Sequence, residues 1–517
     1  MSNDVDLGAR TVGATKWSLI TQVASKLISP LTTIVLARIL APSVIGVMSL
    51  VTMVTSFADL FSDAGFQKYL IQHEFRSEKD LRLSADVAFW TNFAISVFLL
   101  LGVVLLKDWI AVLVGDSTIG LAIAIACGSL PLTAAVSVQT AIYQRALDFK
   151  TLFYSRVGSA FLIFIVAVPL ALVGGGYWSM IVGTLVSNLF LAVWLTAKSD
   201  WRPSFRYSLI ELRAMFSFSG WTLLESFSIW LTSWAGTFVL GRVMTGYYLG
   251  LYNTSTSLVN SAIGIITSAV NPVIFASLSR LQGNRVLFNS VFYSMQKVIS
   301  LCVVPIAFAL FVFSDLLVEI ILGSQWLEAS TYFGLYSLAS ALVIVFCHTA
   351  SDAYRALGKP RLSLAAQLGF LAIMVPSLYF GASMGFEVFS VVVPLARVVG
   401  FVVIHFVICH CVVGLSPAIM IYKLRWVYAA TLFIAIPVSI VIKFFNVGAA
   451  IQIALALFSV FLYIAELLYI RDLRETLVWL LVKFGFSSFV YRLLPSRLSG
   501  LVKKEFSEDW GDVSEGR

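Results

Sequence analysis

The chain is predicted to be an all-α polytopic membrane protein of about fourteen transmembrane helices, with two pseudo-symmetric six-helix lobes around a central cavity and two further C-terminal helices. Three observations lead there. Charged residues make up 12 % of the 517 and mean hydropathy is +0.93, whereas a soluble domain carries roughly 25 % charged residues on its surface. Apolar runs of about 20 residues, each long enough to cross the hydrocarbon core as a helix, follow one another from Trp17 to Ile470. Lys and Arg collect in alternate loops, as cytoplasmic loops require.

In chain order the spans are predicted at 17–40, 43–66, 85–106, 118–141, 152–173, 177–197, 216–240, 250–278, 288–313, 330–353, 362–381, 386–411, 426–444 and 449–470. Prolines fall within many of them (Pro30, Pro131, Pro169, Pro305, Pro376, Pro394, Pro437). Membrane helices tolerate these because neighbouring helices and hydroxyl side chains satisfy the freed carbonyls. With the N-terminus inside, Lys68, Arg76, Lys79 and Arg82 follow the second span, Arg145 and Lys150 the fourth, and Lys198, Arg202, Arg206 and Arg213 the sixth. The same side receives Arg280 and Arg285, then Arg355, Lys359 and Arg361, then Lys423 and Arg425, and the C-terminal cluster. On the other side fall only Lys107, Arg242 and, at the end of its span, Lys443. Both termini are therefore expected in the cytoplasm. The net charge of +8 is topological, so it points to membrane lipids as neighbours and not to nucleic acid.

The five cysteines all fall in apolar runs, where a thiol behaves as a small hydrophobe. His410 between Cys409 and Cys411 suggests a metal site at first sight, but alternate helical residues diverge and zinc needs about four converging ligands. No metal and no cofactor is expected. The start, MSNDVDLGARTVGATKWS, places acids ahead of the first apolar run and shows no cleavage-like signal, so helix 1 is read as its own insertion signal.

A shift of 204 residues lays VLARILAPSVIGVMSL at 35–50 on VLGRVMTGYYLGLYNT at 239–254, matching Arg38 to Arg242 and Gly46 to Gly250. In the same register Ser18, Gln22, Ser29 and Thr33 meet Thr222, Ser226, Ser233 and Thr237, one polar stripe on each helix. A second echo, RALDFK at 145–150 against RALGKP at 355–360, follows at a slightly larger shift. Six helices return the chain to its starting side, so the two repeats are parallel, as in transporters built from two related halves. The expected division is an N-terminal lobe at 1–200, a C-terminal lobe at 201–415, two further helices at 416–475 and a cytoplasmic interfacial segment and tail at 476–517, its last residues disordered.

A polar stripe in a membrane helix faces either a partner helix or water. Charges favour water here. Lys26 lies roughly 14 Å along helix 1, near mid-membrane, and Lys297 and Arg397 are similarly deep. A charge at that depth costs about 3 kcal/mol unless paired or hydrated. Only Glu225, Asp59 and Asp63 offer themselves as partners, which leaves interior cations in excess and makes an anionic ligand the complement. Substrate contact is thus expected from Lys26, Gln22, Lys297, Arg397, Glu225 and Asn260, with Arg38 and Arg242 either joining them or snorkelling at helix ends. Asp59 and Asp63 are candidates for coupling or gating, or for anchoring helix 2.

Taken together, KWSLITQVASKLISPLTTIVLARILAP, the Gly65-Phe66 that ends helix 2, LGRVMTGYYLGLYNTSTSL, NPVIFASLSRLQG and the LGSQW at 322–326 resemble the polysaccharide-transport, Wzx-type flippases of the multidrug, oligosaccharidyl-lipid and polysaccharide exporter superfamily. The resemblance covers nearly the whole chain. It implies a non-enzymatic flippase of the bacterial inner membrane. Its cargo would be undecaprenyl-diphosphate-linked oligosaccharide units, moved to the outer leaflet for exopolysaccharide, capsule or O-antigen assembly, with a polysaccharide polymerase and export machinery as further partners. The glycines of VGGGYW at 173–178 lack a following GK[ST], so membrane potential or an ion gradient, not a nucleotide, is the expected drive. An ion-coupled drug antiporter of the same superfamily is the alternative. A glycan polymerase or ligase would need a large outer loop that the short connections here do not supply.

Overall fold

Every helix end inside a bilayer has to find hydrogen-bond partners in protein, and the arrangement of helices follows from how these ends are met. The computed structural model describes residues 28–63, 65–445 and 447–483, together with Trp17, Ile20, Thr21 and Ala24. The first half holds α1 (Ile28–Ile39), α2 (Pro42–Asp63), α3 (Phe66–Gln72), α4 (Glu78–Val114), α5 (Gly120–Arg145), α6 (Phe149–Leu172) and α7 (Tyr177–Lys198). The second holds α8 (Leu209–Val243), α9 (Gly246–Ser279), α10 (Arg285–Val312), α11 (Ser314–Ile321), α12 (Ser324–Ala356), α13 (Pro360–Ser383) and α14 (Phe386–Val413). Then come α15 (Pro417–Phe445), α16 (Ala449–Tyr469) and α17 (Arg471–Lys483). No strand occurs among the described residues.

Among those residues, 11 helices are long and apolar enough to cross a membrane. Of the remaining expected spans, 17–40 is described in continuous helix only over α1, while 216–240 and 250–278 lie within α8 and α9, 35 and 34 residues long. Several helices outrun their apolar segments. The 85–106 span is part of a 37-residue helix, because Ser77 caps its start by accepting from the Asp80 amide, and Glu78 pairs with Arg82 at 2.7 Å. Lys79 and Arg82 therefore sit on the first turns of α4, not in a loop. Pro131 does not interrupt a helix. It opens the segment that follows the 3₁₀ turn Cys127–Ser129. Pro169, Pro305, Pro376, Pro394 and Pro437 do lie inside helices. Two π-helical turns, Ile344–His348 and Cys409–Val413, add distortions that no proline announces.

Within the first half α6 packs on α7, and α4 on α5. Within the second half α13 packs on α14, α10 on α12 and α8 on α13. The halves meet chiefly where α2 runs against α9, with lesser contact of α8 on α2 and α4. The α2–α9 crossing is backbone on backbone. A Cβ placed on Gly46 would lie 1.9 Å from the Gly246 carbonyl oxygen, and one on Gly250 would lie 1.9 Å from that of Pro42. Only glycine permits this approach.

At the opposite end of the bundle, where the basic residues collect, Arg145 donates to the carbonyls of Leu70, Ile71 and His73 and so ties the turn after α3 to the end of α5. Asp86 on α4 accepts from Trp201 Nε1 at 3.2 Å and from the Ser204 amide at 3.0 Å, clasping the connection between the two halves. The helix beyond the last span, α17, folds back under the bundle. Lys297 Nζ on α10 reaches Asp472 Oδ2 at 2.6 Å and the Asp472 carbonyl at 3.0 Å. The expected tail beyond Lys483 lies outside the described residues.

Two measurements check this framework. Gly46→Val should lower stability by about 2 kcal/mol or more, seen as a lower unfolding midpoint in detergent, because backbone atoms cannot yield to the added methyls. Gly102→Ala, which meets nothing within 4 Å, should be neutral. Lys297→Met should release α17, seen as faster amide exchange in 471–483, with a loss of roughly 1.5–3 kcal/mol for a charged hydrogen bond.

Candidate functional site

The interior cations do not share one environment. Lys297 is only 12 % exposed along its side chain, yet it has its counter-ion, the Asp472 carboxylate. The sequence reading allowed three acids as partners and missed this fourth, because Asp472 follows the last span and returns to α10 only through the fold of α17. Arg397, about 16 Å along α14 at 1.5 Å per residue, has neither an ion pair nor a hydrogen bond among the described residues, and its Nε is buried without a partner. Its guanidinium carbon stands 5.0 Å from the centre of the Tyr336 ring on α12, a cation–π contact that offsets part of the desolvation.

Tyr336 joins two expected site residues. Its hydroxyl donates to Asn260 Oδ1 on α9 at 3.3 Å, while Arg397 covers its ring. Behind it Tyr332 stacks on Tyr336 at 5.5 Å and approaches Tyr252 at 5.4 Å. Asn260 itself is exposed, so the group runs from a half-buried cation to an open helix face. Neither Tyr332 nor Tyr336 was singled out from sequence; their spacing of four on one helix was the available signal.

The other candidates lie elsewhere. Arg38, at the end of α1, donates through Nε to the Ile321 carbonyl at 3.0 Å and through a terminal nitrogen to that of Ile320. Arg242, at the end of α8, donates to the carbonyls of Val112 at 2.9 Å and Leu113 at 3.2 Å. Both side chains are engaged with helix ends and are distant in sequence and partner from the Arg397 group. Asp59 accepts from Thr133 Oγ1 at 2.6 Å, linking α2 to α5. Lys26 and Gln22 lie outside the described residues, and the side chains of Asp63 and Glu225 do as well.

The polar stripe divides between its two readings. Ser29 and Ser233, 204 residues apart, are both exposed, whereas Thr237 is buried and donates to Asn253 Oδ1 at 3.0 Å. Between α2 and α8, next to this stripe, Phe57 lies 4.8 Å from Trp230, whose Nε1 donates to Ser56 Oγ at 3.0 Å. The helix pair is thus joined by rings and by this hydrogen bond. Among the described residues this group brings together charge, rings and hydrogen bonds, with no nucleophile and base side by side.

Among solved structures, the fold is shared with lipid II flippase MurJ in an inward closed conformation, with a TM-score of 0.72 at 14 % identity over 89 % of this chain and 99 % of that one. Curated relatives include the succinoglycan biosynthesis transport protein ExoT of Rhizobium meliloti, 26 % identical over 65 % of this chain and 66 % of its own length. The lipopolysaccharide biosynthesis protein WzxC of Escherichia coli is 24 % identical over 62 % of this chain and 65 % of its own. The alignments thus span about two thirds of each of these two relatives. The family model described as polysaccharide biosynthesis protein matches residues 35–331, and with more than half of its length so matched, this multi-span helical membrane protein belongs to that family.

Proposed function

We propose that the protein is a flippase that moves undecaprenyl-diphosphate-linked oligosaccharide units from the cytoplasmic to the outer leaflet of the bacterial inner membrane, for exopolysaccharide, capsule or O-antigen assembly. The observation that carries this is Arg397, a cation in the interior of a membrane bundle with no carboxylate partner among the described residues and a buried Nε left unbonded. An unpaired cation at mid-membrane costs about 3 kcal/mol, and a diphosphate is the ligand that removes that cost with charge-assisted hydrogen bonds. Family membership and the names of the relatives favour a glycan-bearing lipid as the carrier of that diphosphate.

In this reading residues 1–200 and 201–415 rock as two lobes about the cavity, with 416–475 as an accessory pair and 476–517 on the cytoplasmic face with both termini. Arg397, held flat by Tyr336, receives the diphosphate, and Asn260 on the open face meets the first sugars. Lys26 and Gln22 of helix 1 and Glu225 of α8 complete the wall, while the lipid tail stays in the bilayer. Asp59 or Asp63 couples the cycle to an ion or to membrane potential. No bond is made or broken, and a polysaccharide polymerase with its export machinery consumes the delivered unit.

The test is leaflet assignment of a fluorescent undecaprenyl-diphosphate oligosaccharide in proteoliposomes, comparing the intact protein with Arg397→Gln. Crossing should depend on the protein and fall about tenfold or more in the variant, the worth of one charged hydrogen bond. Absence of crossing by a folded protein with several glycans, under imposed potential and ion gradients, would sink the proposal. Dye efflux by the same vesicles would then favour the antiporter.

A further inference from the structure

At the end of the bundle away from the basic turns, three unlike contacts obey one exchange of the two halves. Arg38 caps the last carbonyls of α11 in the second half, and Arg242 caps the last carbonyls of α4 in the first. The arginines are 204 residues apart, and Ile320 and Ile321 each follow Val112 and Leu113 by 208. Exchanging the halves turns one cap into the other. The same exchange carries Gly46 against Gly246 into Gly250 against Pro42. It also relates the turns that follow the capped helices. Gly115 and Gly323, again 208 apart, have φ of 105° and 107°. Gly115 is pressed against the Gly241 carbonyl, where a Cβ would lie 1.8 Å from the oxygen. In the turn after Gly323, Trp326 Nε1 donates at 2.8 Å to the carbonyl of Ala37, 204 residues before Gly241.

We propose that Arg38 and Arg242 are the paired gate residues of the transport cycle, closing this end of the cavity by each capping a helix of the opposite half. The proposal rests on the alternating movement of two halves in the reading above, and not on any particular cargo. The last carbonyls of a helix have no intrahelical partner and carry the negative end of its dipole, so a guanidinium is their natural cap. Here the cap comes from the other half, so it holds only while the halves are together. Both arginines are exposed, which lets water take over the released carbonyls and guanidinium groups when the halves part. At the glycine crossing itself backbone meets backbone. Trp326 also donates across this seam, and Arg38 and Arg242 supply the hydrogen bonds that exposed, charged side chains make there.

Thr254 lies one turn beyond Gly250 on the same face of α9, 2 % exposed and with its Oγ1 unbonded, so Thr254→Cys reports access beneath the seam. The experiment uses the full chain with Cys411→Ser, which removes the exposed native thiol, reconstituted in liposomes without substrate. A membrane-impermeant maleimide is added to each side in turn. Arg38→Ala and Arg242→Ala should each raise labelling by about tenfold or more, from one side only and to similar extents. Arg38→Gln, which keeps one donor for a carbonyl, should fall between. Unchanged labelling in both alanine variants and in their combination, with unfolding midpoints close to the parent, would overturn the gate. So would a rise that is equal from both sides. If alanine unfolds the protein, Arg38→Gln and Arg242→Gln carry the same comparison. Labelling that responds while the lipid crosses in no assay would leave the gate standing and remove only the flippase reading.

Discussion

Hydrocarbon supplies no hydrogen bonds, so each helix end within this bundle must be satisfied by protein, and the two ends of the molecule meet that demand differently. At the basic end the helices are capped largely from their own half. Ser77, Asp148, Ser208 and Asn284 each cap the helix that follows them, and the turns between are tied by Arg145 and Asp86 within one half or along the connection. At the other end α4 and α11 finish on carbonyls that are met by arginines from the opposite half. The basic end is thus held mostly within each half, with Ser84 of α4 donating to Glu211 of α8, whereas the other end is held across the halves.

Charge in the interior follows a similar division. Lys297 is matched internally by Asp472, at the cost of tying the segment after the last span to α10. Among the described residues Arg397 is matched by the face of Tyr336, which compensates a cation far less than a carboxylate does. A bundle selected for stability alone would gain from an apolar residue at 397. An unsatisfied buried Nε is the sort of local inconsistency expected where a ligand completes the set.

Much of this was legible in the sequence because lipid imposes few solutions. Length and hydropathy are enough to mark most spans, and the repeat register that pairs Arg38 with Arg242 and Gly46 with Gly250 is the register of their contacts in space. Helix ends were less legible: α4 runs eight residues beyond its apolar segment at Val114 because continuation through an interface depends on caps and ion pairs, which hydropathy does not weigh. Partners distant in the chain were not legible at all. Asp472 for Lys297, Ile320 and Ile321 for Arg38, and Tyr336 for Arg397 lie 175, 282 and 283, and 61 residues away, and no local pattern encodes those distances. The expectation that Arg397 meets substrate was read from its depth, whereas its lack of a carboxylate partner among the described residues needed the fold.

The α2–α9 crossing has an entropic consequence. Glycine has no rotamers, so bringing Gly46, Gly246 and Gly250 into contact with backbone freezes no side chain. Beside Gln325 and Trp326, which also donate across that end, the ordering needed to shut it falls on two long arginines, at up to about 2 kcal/mol each. The balance between shut and open is therefore adjustable at two positions, in small steps, by altering the reach or donor number of one side chain. The walls that face the cargo can meanwhile change shape without disturbing it.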